Sequence, residues 1–349
     1  MDRPKIEAFL DLFLEIASGA TTIGLLAVAD RSGLSEYLGV VQGGTSVEIA
    51  VGAGLEQRYV QEILSGLAAA GVVEYDAESE RFELPPEHAQ FLSDEESPYF
   101  MGGWFDMIPA VMAQLDGIAE ATMNGGGVGF ERFGPGMIRG IGRGNAPSQR
   151  IFLTSRWLPA VPGLPDRLES GIRIADVGCG TGSAVILIAQ AFPNCEVAGF
   201  DTSAEAIAVA SERARRITNA TFQVAGVQDI PVEPGFDLIT TFDVIHDLAE
   251  PRAGLRRIRE SLAEGGLYLM MEPQASSNLE ENLNPRGALL YGISALHCMT
   301  QSLARGGEGL GAAWGRQKAE SYTADAGFNS FEVLESISNQ FSAFYLLSV

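Results

Sequence analysis

The sequence predicts a two-domain α/β protein, with a mostly helical N-terminal domain followed by a parallel sheet that helices cover. Three observations predict this class. The 349 residues suffice for two domains. Three glycines at alternate positions join an apolar strand to an apolar helix near residue 180. From about residue 151, strand and helix patterns alternate to the end. We therefore expect domains over 1–95 and 151–349, joined by a helical linker and lid over 96–150.

The N-terminal 95 residues show the pattern of a winged helix. Thr45 to Glu48 matches a capping box that opens a short helix, and 56–70 carries apolar residues at helical spacing. Two short segments, 71–75 and 81–84, flank an acidic turn and predict a strand-turn-strand wing. Because winged helices often bind DNA, a regulatory function has to be weighed.

Charge disfavours nucleic acid as a partner of this domain. Residues 1–100 contain 18 acidic and five basic residues, and helix 56–70 offers only Arg58, with Glu56 and Glu62 beside it. Such a surface repels phosphates. The whole chain carries a net charge of −22, so small uncharged or cationic substrates are easier to accommodate. We expect this domain to form a homodimer and to cover the substrate.

The linker combines helical and flexible patterns. Residues 97–122 predict a helical bridge, and glycines at 124–129 and 134–136 predict a hinge before helical signals resume over 147–158. The large side chains of the bridge either line a pocket or belong to a core: Phe100, Trp104, Phe105 and Met107.

The glycine turn is the strongest local signal. A strand over 172–177 runs into Gly178, Gly180 and Gly182, and an apolar helix follows over 183–191. Glycine lets the backbone approach a ligand where a Cβ would clash, and the helix N-terminus offers free N–H groups. In the dinucleotide fingerprint the third glycine is the sixth residue of the motif, whereas here it is the fifth. No Gly-Lys-Ser/Thr follows the glycines, so the turn is not a P-loop.

An acid follows the second strand of this domain. That strand, 195–200, ends at Asp201, which lies 19 residues after Gly182. An acid at this point of a βαβ unit binds a ribose diol. The alternative is that Asp201 caps the helix starting near Thr202 and Ser203. Together with the glycine turn, the ligand interpretation is favoured.

A histidine follows the fourth strand. That strand, 236–242, leads to His246, and the fifth, 267–271, ends in Glu272. Ligands of open α/β sheets bind at the carboxyl ends of the strands, where neighbouring strands would bring Glu272 towards His246. A carboxylate there would orient an imidazole that takes a proton near neutral pH. The alternative is that His246 only makes structural hydrogen bonds and Glu272 only bounds a loop.

Cysteine and histidine spacing argues against a metal site. Cys179, Cys195 and Cys298 show no paired spacing, and the three histidines do not cluster with them as zinc ligands would. We therefore expect a metal-free, cytoplasmic protein. No uninterrupted apolar run approaches the ~20 residues that span a bilayer, and the acidic N-terminus lacks a signal-peptide pattern, so no membrane partner is expected.

From Ile172 to Val349 the chain resembles the class I S-adenosylmethionine-dependent methyltransferases, whose fold is Rossmann-like. Their first motif, an acid before three alternate glycines, is matched by Asp176, Gly178, Gly180 and Gly182. The resemblance implies that S-adenosylmethionine binds over this turn, with its ribose on Asp201 and its adenine on Asp229. The alternative for Asp229 is an ordinary turn residue, since it stands before Ile-Pro. The implied cofactor residues are Asp176, Gly178, Gly180, Gly182, Asp201, Thr202, Gln228, Asp229 and Phe242.

The pair His246-Asp247 resembles that of small-molecule O-methyltransferases with a winged-helix dimerisation domain. In that family the histidine deprotonates the acceptor hydroxyl, and Glu272 matches the acid that ends the fifth strand. Leu248 stands where those enzymes usually have tryptophan, and Glu308 is the candidate for their second supporting acid.

A closer resemblance, through 282–285, 296–299 and 306–311, is to bacterial winged-helix methyltransferases often labelled transcriptional regulators. It adds His297 as a candidate site residue. We predict an enzyme that transfers a methyl group from S-adenosylmethionine to a small molecule, by O-methylation with His246 as the base. One alternative is a winged-helix regulator that keeps the cofactor fold as a sensor, and another is a cofactor-binding protein with different chemistry.

Overall fold

A computed structural model describes residues 2–349. They form two compact units. The N-terminal unit comprises the described chain up to Ala110 together with Arg139–Pro147. The second unit comprises Val111–Ile138 and Ser148–Val349. The chain thus crosses between the units three times. The expected division into 1–95, 96–150 and 151–349 stays a prediction.

The N-terminal unit consists of helices and a small antiparallel sheet. Its strands pair in the order β1-β3-β2: β1 (Gly44–Thr45), β2 (Glu74–Asp76) and β3 (Arg81–Glu83). The helices that begin in this unit are α1 (Arg3–Arg31), α2 (Leu34–Val40), α3 (Ser46–Ala53), α4 (Gln57–Ala69), α5 (Pro86–Leu92) and α6 (Gly103–Met112). Helices α3 and α4 and the wing of β2 and β3 are as the sequence predicts, whereas β1 and the helix after the wing, α5, were not predicted.

Local sequence signals explain these elements. Thr45 Oγ1 accepts a hydrogen bond from the Glu48 amide at the start of α3, and the Glu48 carboxylate accepts one from the Thr45 amide, so the capping box is confirmed. Helix α4 buries Val60, Ile63, Leu64 and Leu67, as its helical spacing predicts. Phe105 packs into the core of this unit and Phe100 is also buried, which agrees with the core interpretation of these two residues.

For the linker, the expected helical bridge is confirmed over most of its length, and the expected hinge at 134–136 is wrong. The helical bridge over 97–122 is two helices, α6 and α7 (Leu115–Asn124), with a turn between them. Residues 134–136 are not a hinge, because they form the first turn of α8 (Gly134–Phe152). A proline near the N-terminus of α8 has the fixed φ that a first helical turn needs. Pro147 therefore lies inside this helix and does not start one.

The second unit is built on a seven-stranded sheet of order β6-β5-β4-β7-β8-β10-β9. Strands β4 to β8 are parallel, and β10 is antiparallel to both β8 and β9. The expectation of a parallel sheet to the end of the chain is therefore wrong for the last strands. Residues 334–341, which join β9 to β10, are too few for a crossover helix. The strands are β4 (Arg173–Val177), β5 (Glu196–Asp201), β6 (Ala220–Val224), β7 (Phe236–Phe242), β8 (Leu262–Pro273), β9 (Ser330–Val333) and β10 (Ser342–Ser348).

Helices cover both faces of this sheet. Ile174 and Ala175 are adjacent on β4 yet belong to two separate buried clusters, as do Leu238 and Ile239 on β7. Successive residues of a strand point to opposite faces, so both faces are packed. The helices are α9 (Leu164–Ser170), α10 (Ser183–Ala191), α11 (Ala204–Arg213), α12 (Pro251–Glu260), α13 (Pro285–Ile293), α14 (Met299–Ala304) and α15 (Gly315–Asp325).

Helix α1 carries a large exposed apolar surface. Ile6, Phe9, Leu10, Phe13 and Ile16 are each more than half exposed. Among the described residues, α1 is the one helix long and apolar enough to cross a membrane, although length and composition alone are weak grounds for a membrane span. Acidic residues interrupt the apolar sequence of α1, so it does not form the uninterrupted apolar run that is typical of a membrane span.

Candidate functional site

The glycine turn lies between β4 and α10. Gly178, Gly180 and Gly182 have φ angles of +75°, +52° and +79°, the left-handed region that favours glycine. A Cβ on Gly178 would lie 2.5 Å from Val244, and one on Gly182 would lie 2.6 Å from the Phe222 ring, whereas one on Gly180 would meet no atom within 4 Å. Packing therefore requires the two outer glycines, while the middle glycine faces open space that a ligand can fill.

Asp201, at the end of β5, holds the glycine turn in place. Its Oδ2 accepts a hydrogen bond from the Gly180 amide at 2.9 Å, and its Oδ1 accepts one from the Ser203 amide at 2.8 Å. The N-cap of α11 is Ser203, whose hydroxyl accepts from the Ala206 amide, so Asp201 does not cap this helix. The carboxylate keeps lone pairs for further donors. Its ribose-binding role stays a prediction.

Asp176 is a buried acid directly before the turn. Its Oδ1 accepts a hydrogen bond from the Thr240 hydroxyl at 2.7 Å. Burial raises the pKa of Asp176 to about 7. The charge of Asp201 also raises this pKa, whereas the hydrogen bond from Thr240 lowers it. A nearby cation would favour the charged carboxylate. Phe242, at the end of β7, lies in the core with its ring centroid 5.9 Å from that of Trp157, and its cofactor role stays a prediction.

Three of the predicted cofactor residues converge around Gly226. A Cβ built there would lie 3.3 Å from Asp229 Oδ2, 3.5 Å from Gln228 Oε1 and 3.8 Å from Thr202 Cγ2. All three side chains are exposed. The Asp229 amide also donates to the Gly226 carbonyl at 3.0 Å, so Asp229 does belong to a turn. The turn role and an adenine-binding role are compatible, because one uses the backbone and the other the side chain.

The predicted acid and base are in contact. His246 is buried in a single turn, Ile245–Asp247, after β7, and its Nδ1 donates to Glu272 Oε2 at 2.6 Å. Trp314 Nε1 donates to the same oxygen at 3.0 Å, and the Ile245 amide donates to Glu272 Oε1 at 2.9 Å. The structure brings Glu272 to His246 as strand adjacency predicts. The carboxylate fixes the ring through Nδ1, and the other ring nitrogen, Nε2, faces Asp247. Their catalytic roles stay a prediction.

Carboxylates surround this imidazole. Asp247 Oδ1 lies 3.3 Å from His246 Nε2. Burial lowers the pKa of His246, but the charges of Asp247 and Glu272 outweigh it and raise this pKa well above 6.5. Burial also raises the pKa of the neighbouring Asp243 to about 7. These charges favour the imidazolium form, and His246 can act as a base only after losing its proton.

A π-helical segment, Ser294–Cys298, packs beside this cluster. The Cys298 thiol is within hydrogen-bonding distance of His246, and burial raises the pKa of this thiol to about 12. His297 is buried, and neither ring nitrogen has a hydrogen-bond partner among the residues described. Its ring meets that of Phe133 edge-on, with centroids 4.7 Å apart. Because burial lowers the pKa of His297, its neutral ring offers one donor and one acceptor.

Glu308 does not support His246. Its Oε2 accepts from Arg252 Nη1 at 2.8 Å and from the Tyr322 hydroxyl at 2.9 Å, so the expectation of a second supporting acid is wrong. Trp314 makes the additional contact to Glu272 instead. Sequence spacing did not predict the contacts of Trp314 and Cys298, because neither is linked by a spacing rule to the residue that it contacts.

Two family models match the chain. Residues 168–324 match the model described as a methyltransferase domain, and residues 19–94 match an Rv2258c-like winged HTH domain.

Curated relatives match over part of their length. A trans-aconitate 2-methyltransferase of Afipia carboxidovorans is 31% identical over 142 residues, which are 41% of this chain and 52% of that protein. An uncharacterized Synechococcus protein is 39% identical over 99 residues, which are 27% of this chain and 24% of that one. The chain thus spans between a quarter and about half the length of these two relatives.

Solved structures share the fold over nearly the whole chain. Human N-acetylserotonin methyltransferase, crystallised with S-adenosylmethionine, superposes with a TM-score of 0.69 at 17% identity and covers 97% of each chain. The mitomycin 7-O-methyltransferase MmcR gives 0.72 at 15% identity and 100% of each chain. The chain therefore joins a winged helix-turn-helix domain to a methyltransferase domain with the class I S-adenosylmethionine-dependent fold.

Proposed function

We propose that the chain binds S-adenosylmethionine at the glycine turn and transfers its methyl group to a small molecule held at His246. One observation carries this proposal: Gly178 of the turn packs directly against Val244, two residues before His246. The strands behind them are neighbours, with Asp176 of β4 opposite Thr240 of β7. The cofactor turn and the candidate base thus share the sheet edge where open α/β sheets bind ligands.

The residues present fit S-adenosylmethionine. Gly180 faces open space, Asp201 keeps lone pairs for ribose hydroxyls, and the exposed Asp229 offers an acceptor to an adenine amino group. When bound, the cofactor supplies a methyl group already activated on a sulfonium, so alignment contributes much of the rate. Buried Asp176 and half-buried Asp243 both lie at this edge of the sheet, and a bound sulfonium cation would favour their charged forms.

His246 Nε2 is the atom that we assign to the acceptor proton. Glu272 holds the opposite ring nitrogen, so the free lone pair of the neutral ring points away from it. Acceptor binding that displaces Asp247 would remove a charge that stabilises the imidazolium, and would thereby prepare the base. A hydroxyl needs such a base, whereas an amine or carbanion acceptor does not. We therefore favour O-methylation.

Unpartnered buried groups indicate the polarity of the acceptor. Both nitrogens of His297 and Nε2 of Gln301 are buried without a hydrogen-bond partner among the described residues. Buried polar groups normally have partners, so the acceptor is expected to carry a second oxygen or nitrogen function that meets them. The surrounding carboxylates disfavour an anion, and the Phe133 ring favours a flat apolar body.

Methyl transfer is tested with S-adenosylmethionine carrying a labelled methyl group and a panel of phenols, alcohols and amines. We expect S-adenosylhomocysteine to form with at least one phenol. His246→Ala should lower turnover ~100-fold or more while cofactor affinity stays the same. His88→Ala is the matched control, since His88 lies in the N-terminal unit and contacts the Val72 carbonyl. Undiminished turnover in His246→Ala would contradict the base assignment, and product from amines alone would contradict O-methylation.

We further propose that a second copy of the chain covers the exposed apolar face of α1. A helix with this much exposed apolar surface needs a partner, and a homodimer supplies one.

A cytoplasmic location is supported by Cys179, Cys195 and Cys298, which are all free thiols.

A DNA-binding regulator is the alternative that the winged helix raises. Arg58 is the one basic residue of α4, and its guanidinium is already paired with Glu62 on the same helix. We therefore expect no binding to duplex DNA even at low salt. Affinity that falls with rising salt would favour the regulator instead.

A further inference from the structure

Three different metal-binding side chains meet beside the proposed base. The ligand atoms of His246, Asp247 and Cys298 all lie within 4.8 Å of one another. The sequence places Cys298 more than 50 residues from the other two, which is why spacing predicted no cluster of histidine with cysteine. An imidazole, a carboxylate and a thiol together are the donor set of thiophilic divalent cations and not of Mg²⁺ or Ca²⁺.

The geometry of the cluster suits a tetrahedral ion. Nitrogen and oxygen ligands about 2.0–2.1 Å from a tetrahedral Zn²⁺ are separated by about 3.3–3.4 Å. His246 Nε2 and Asp247 Oδ1 are 3.3 Å apart. Asp247 Oδ1 is moreover buried and has no hydrogen-bond partner among the described residues. His246 Nε2 is the ion-pair partner of this oxygen, and a cation shared by the two atoms would satisfy both of them.

His246 is also oriented as a metal ligand is. Histidine ligands usually donate the second ring N–H to a carboxylate, which fixes the ring and raises its basicity. Glu272 makes this contact at 2.6 Å and is itself held by Trp314. The free nitrogen, Nε2, is the one that faces Asp247.

The charge of the site is unbalanced without a cation. Asp247 and Glu272 both contact one histidine, and His246 is the only basic partner in the ion pairs of these two acids among the residues described. Uncompensated charges in a protein interior are costly, and a dication would offset them.

We propose that His246, Asp247 and Cys298 bind a thiophilic divalent cation, with Zn²⁺ as the type, through Nε2, Oδ1 and Sγ. Three protein ligands leave the fourth tetrahedral position to water or to an acceptor hydroxyl. Coordination releases two protons to solvent, one from the Cys298 thiol and one from Nε2 of the charged His246 ring. The cation takes the lone pair that the proposed function assigns to the acceptor proton, so metal binding and base catalysis at His246 exclude each other. Cation binding itself does not depend on the proposed methyl transfer.

Cobalt titration tests this site on the full-length chain without any substrate. After dialysis against a chelator, anaerobic addition of Co²⁺ should give one equivalent bound, with visible bands of a tetrahedral ion and a thiolate-to-cobalt charge-transfer band. Equimolar Zn²⁺ should bleach both. Cys298→Ser and Cys298→Ala should lose the charge-transfer band. Glu272→Gln should weaken binding about 10–100-fold, as loss of an orienting carboxylate does.

Matched variants separate this site from chance binding. Cys195→Ser removes another buried thiol, one that contacts the Leu168 carbonyl, and it should leave the spectrum unchanged. His88→Gln should do the same. A wild-type titration without a charge-transfer band overturns the proposal even if the Cys298 variants fail to fold. A band that persists in a folded Cys298 variant also overturns it. S-adenosylmethionine affinity, measured by calorimetry on the metal-free protein, reports separately on the proposed function.

Discussion

At the scale of single residues, three glycines of one turn are required for different reasons. Gly178 and Gly182 are confined by Val244 and by the Phe222 ring, so a side chain at either position would disturb packing within the protein. Gly180 has no such neighbour. Its amide is held by Asp201, so it presents backbone without a side chain to open space. Gly180 is therefore the position where ligand binding and folding can be separated by mutation.

Gly180→Val should abolish S-adenosylmethionine binding while the protein still folds. The β-branched side chain would fill the space assigned to the cofactor, and the positive φ should cost about 1–2 kcal/mol of stability. Gly265→Val is the control, since Gly265 has φ +70° and equally open surroundings but lies near the start of β8, away from the site. Calorimetry should find normal affinity in the control and none in Gly180→Val. Equal affinities would refute the cofactor assignment of the turn.

The charges around His246 predict a pH profile. The neutral imidazole accepts a proton, and the raised pKa of His246 means that this form appears only well above pH 6.5. We therefore expect kcat/KM to rise with pH on the alkaline side of neutrality. Asp247→Asn removes a charge that raises this pKa, so the rise should move to lower pH.

Asp325→Asn controls for loss of an acid elsewhere, because Asp325 pairs with Arg252 in an exposed position. Its pH profile should coincide with that of the wild type. A profile that stays in place in Asp247→Asn would show that His246 is not the titrating base.

At the scale of elements, the base is held by three separate segments. The turn after β7 carries His246, the end of β8 carries Glu272, and the segment before α15 carries Trp314. Only the first two follow from strand adjacency. The third segment reaches the same carboxylate, because the Trp314 indole is buried and its N–H donates to Glu272. Trp314 is thus a positioning residue that acts through Glu272 and not on the acceptor.

Trp314→Phe should lower kcat with little change in KM or cofactor affinity. Without the indole N–H, Glu272 Oε2 has one hydrogen-bond partner fewer, which should lower the stability of the fold by about 1–3 kcal/mol. The less firmly held carboxylate would then orient His246 less well. Trp157→Phe removes a comparably buried indole that packs against Phe344, and it should leave kcat unchanged. A parallel fall of kcat in both variants would indicate general destabilisation and not positioning.

At the scale of the whole molecule, the exposed face of α1 predicts assembly. Phe9 and Phe13 lie one helical turn apart, and both are more than half exposed. The double variant Phe9→Asp, Phe13→Asp should convert a dimer to a monomer in light scattering, because buried carboxylates would face the partner. Val51→Asp, which also exchanges an exposed apolar residue of the same unit, should stay dimeric.

The same helix allows a competing outcome. A wild-type chain that is monomeric in buffer and floats with anionic or neutral liposomes would assign the α1 surface to a membrane and contradict the dimer.

Much of this protein is determined by local sequence. The capping box of α3, the apolar face of α4 and the strand-turn-helix around Gly180 follow from residue type and spacing, because they depend on neighbours within a few positions. Parallel strands bring their carboxyl ends to one edge, so the approach of Glu272 to His246 was also predictable.

Contacts between distant segments were decided by tertiary structure alone. The antiparallel pairing of β10 with β8, the contact of Trp314 with Glu272, and the approach of Cys298 to His246 have no signature in local spacing. Such contacts arise from how helices and loops pack over the sheet, which is set by the shape of the whole core and not by any one segment. For the same reason, the family resemblance suggested a supporting role for Glu308, an acid that the fold pairs with Arg252 and Tyr322.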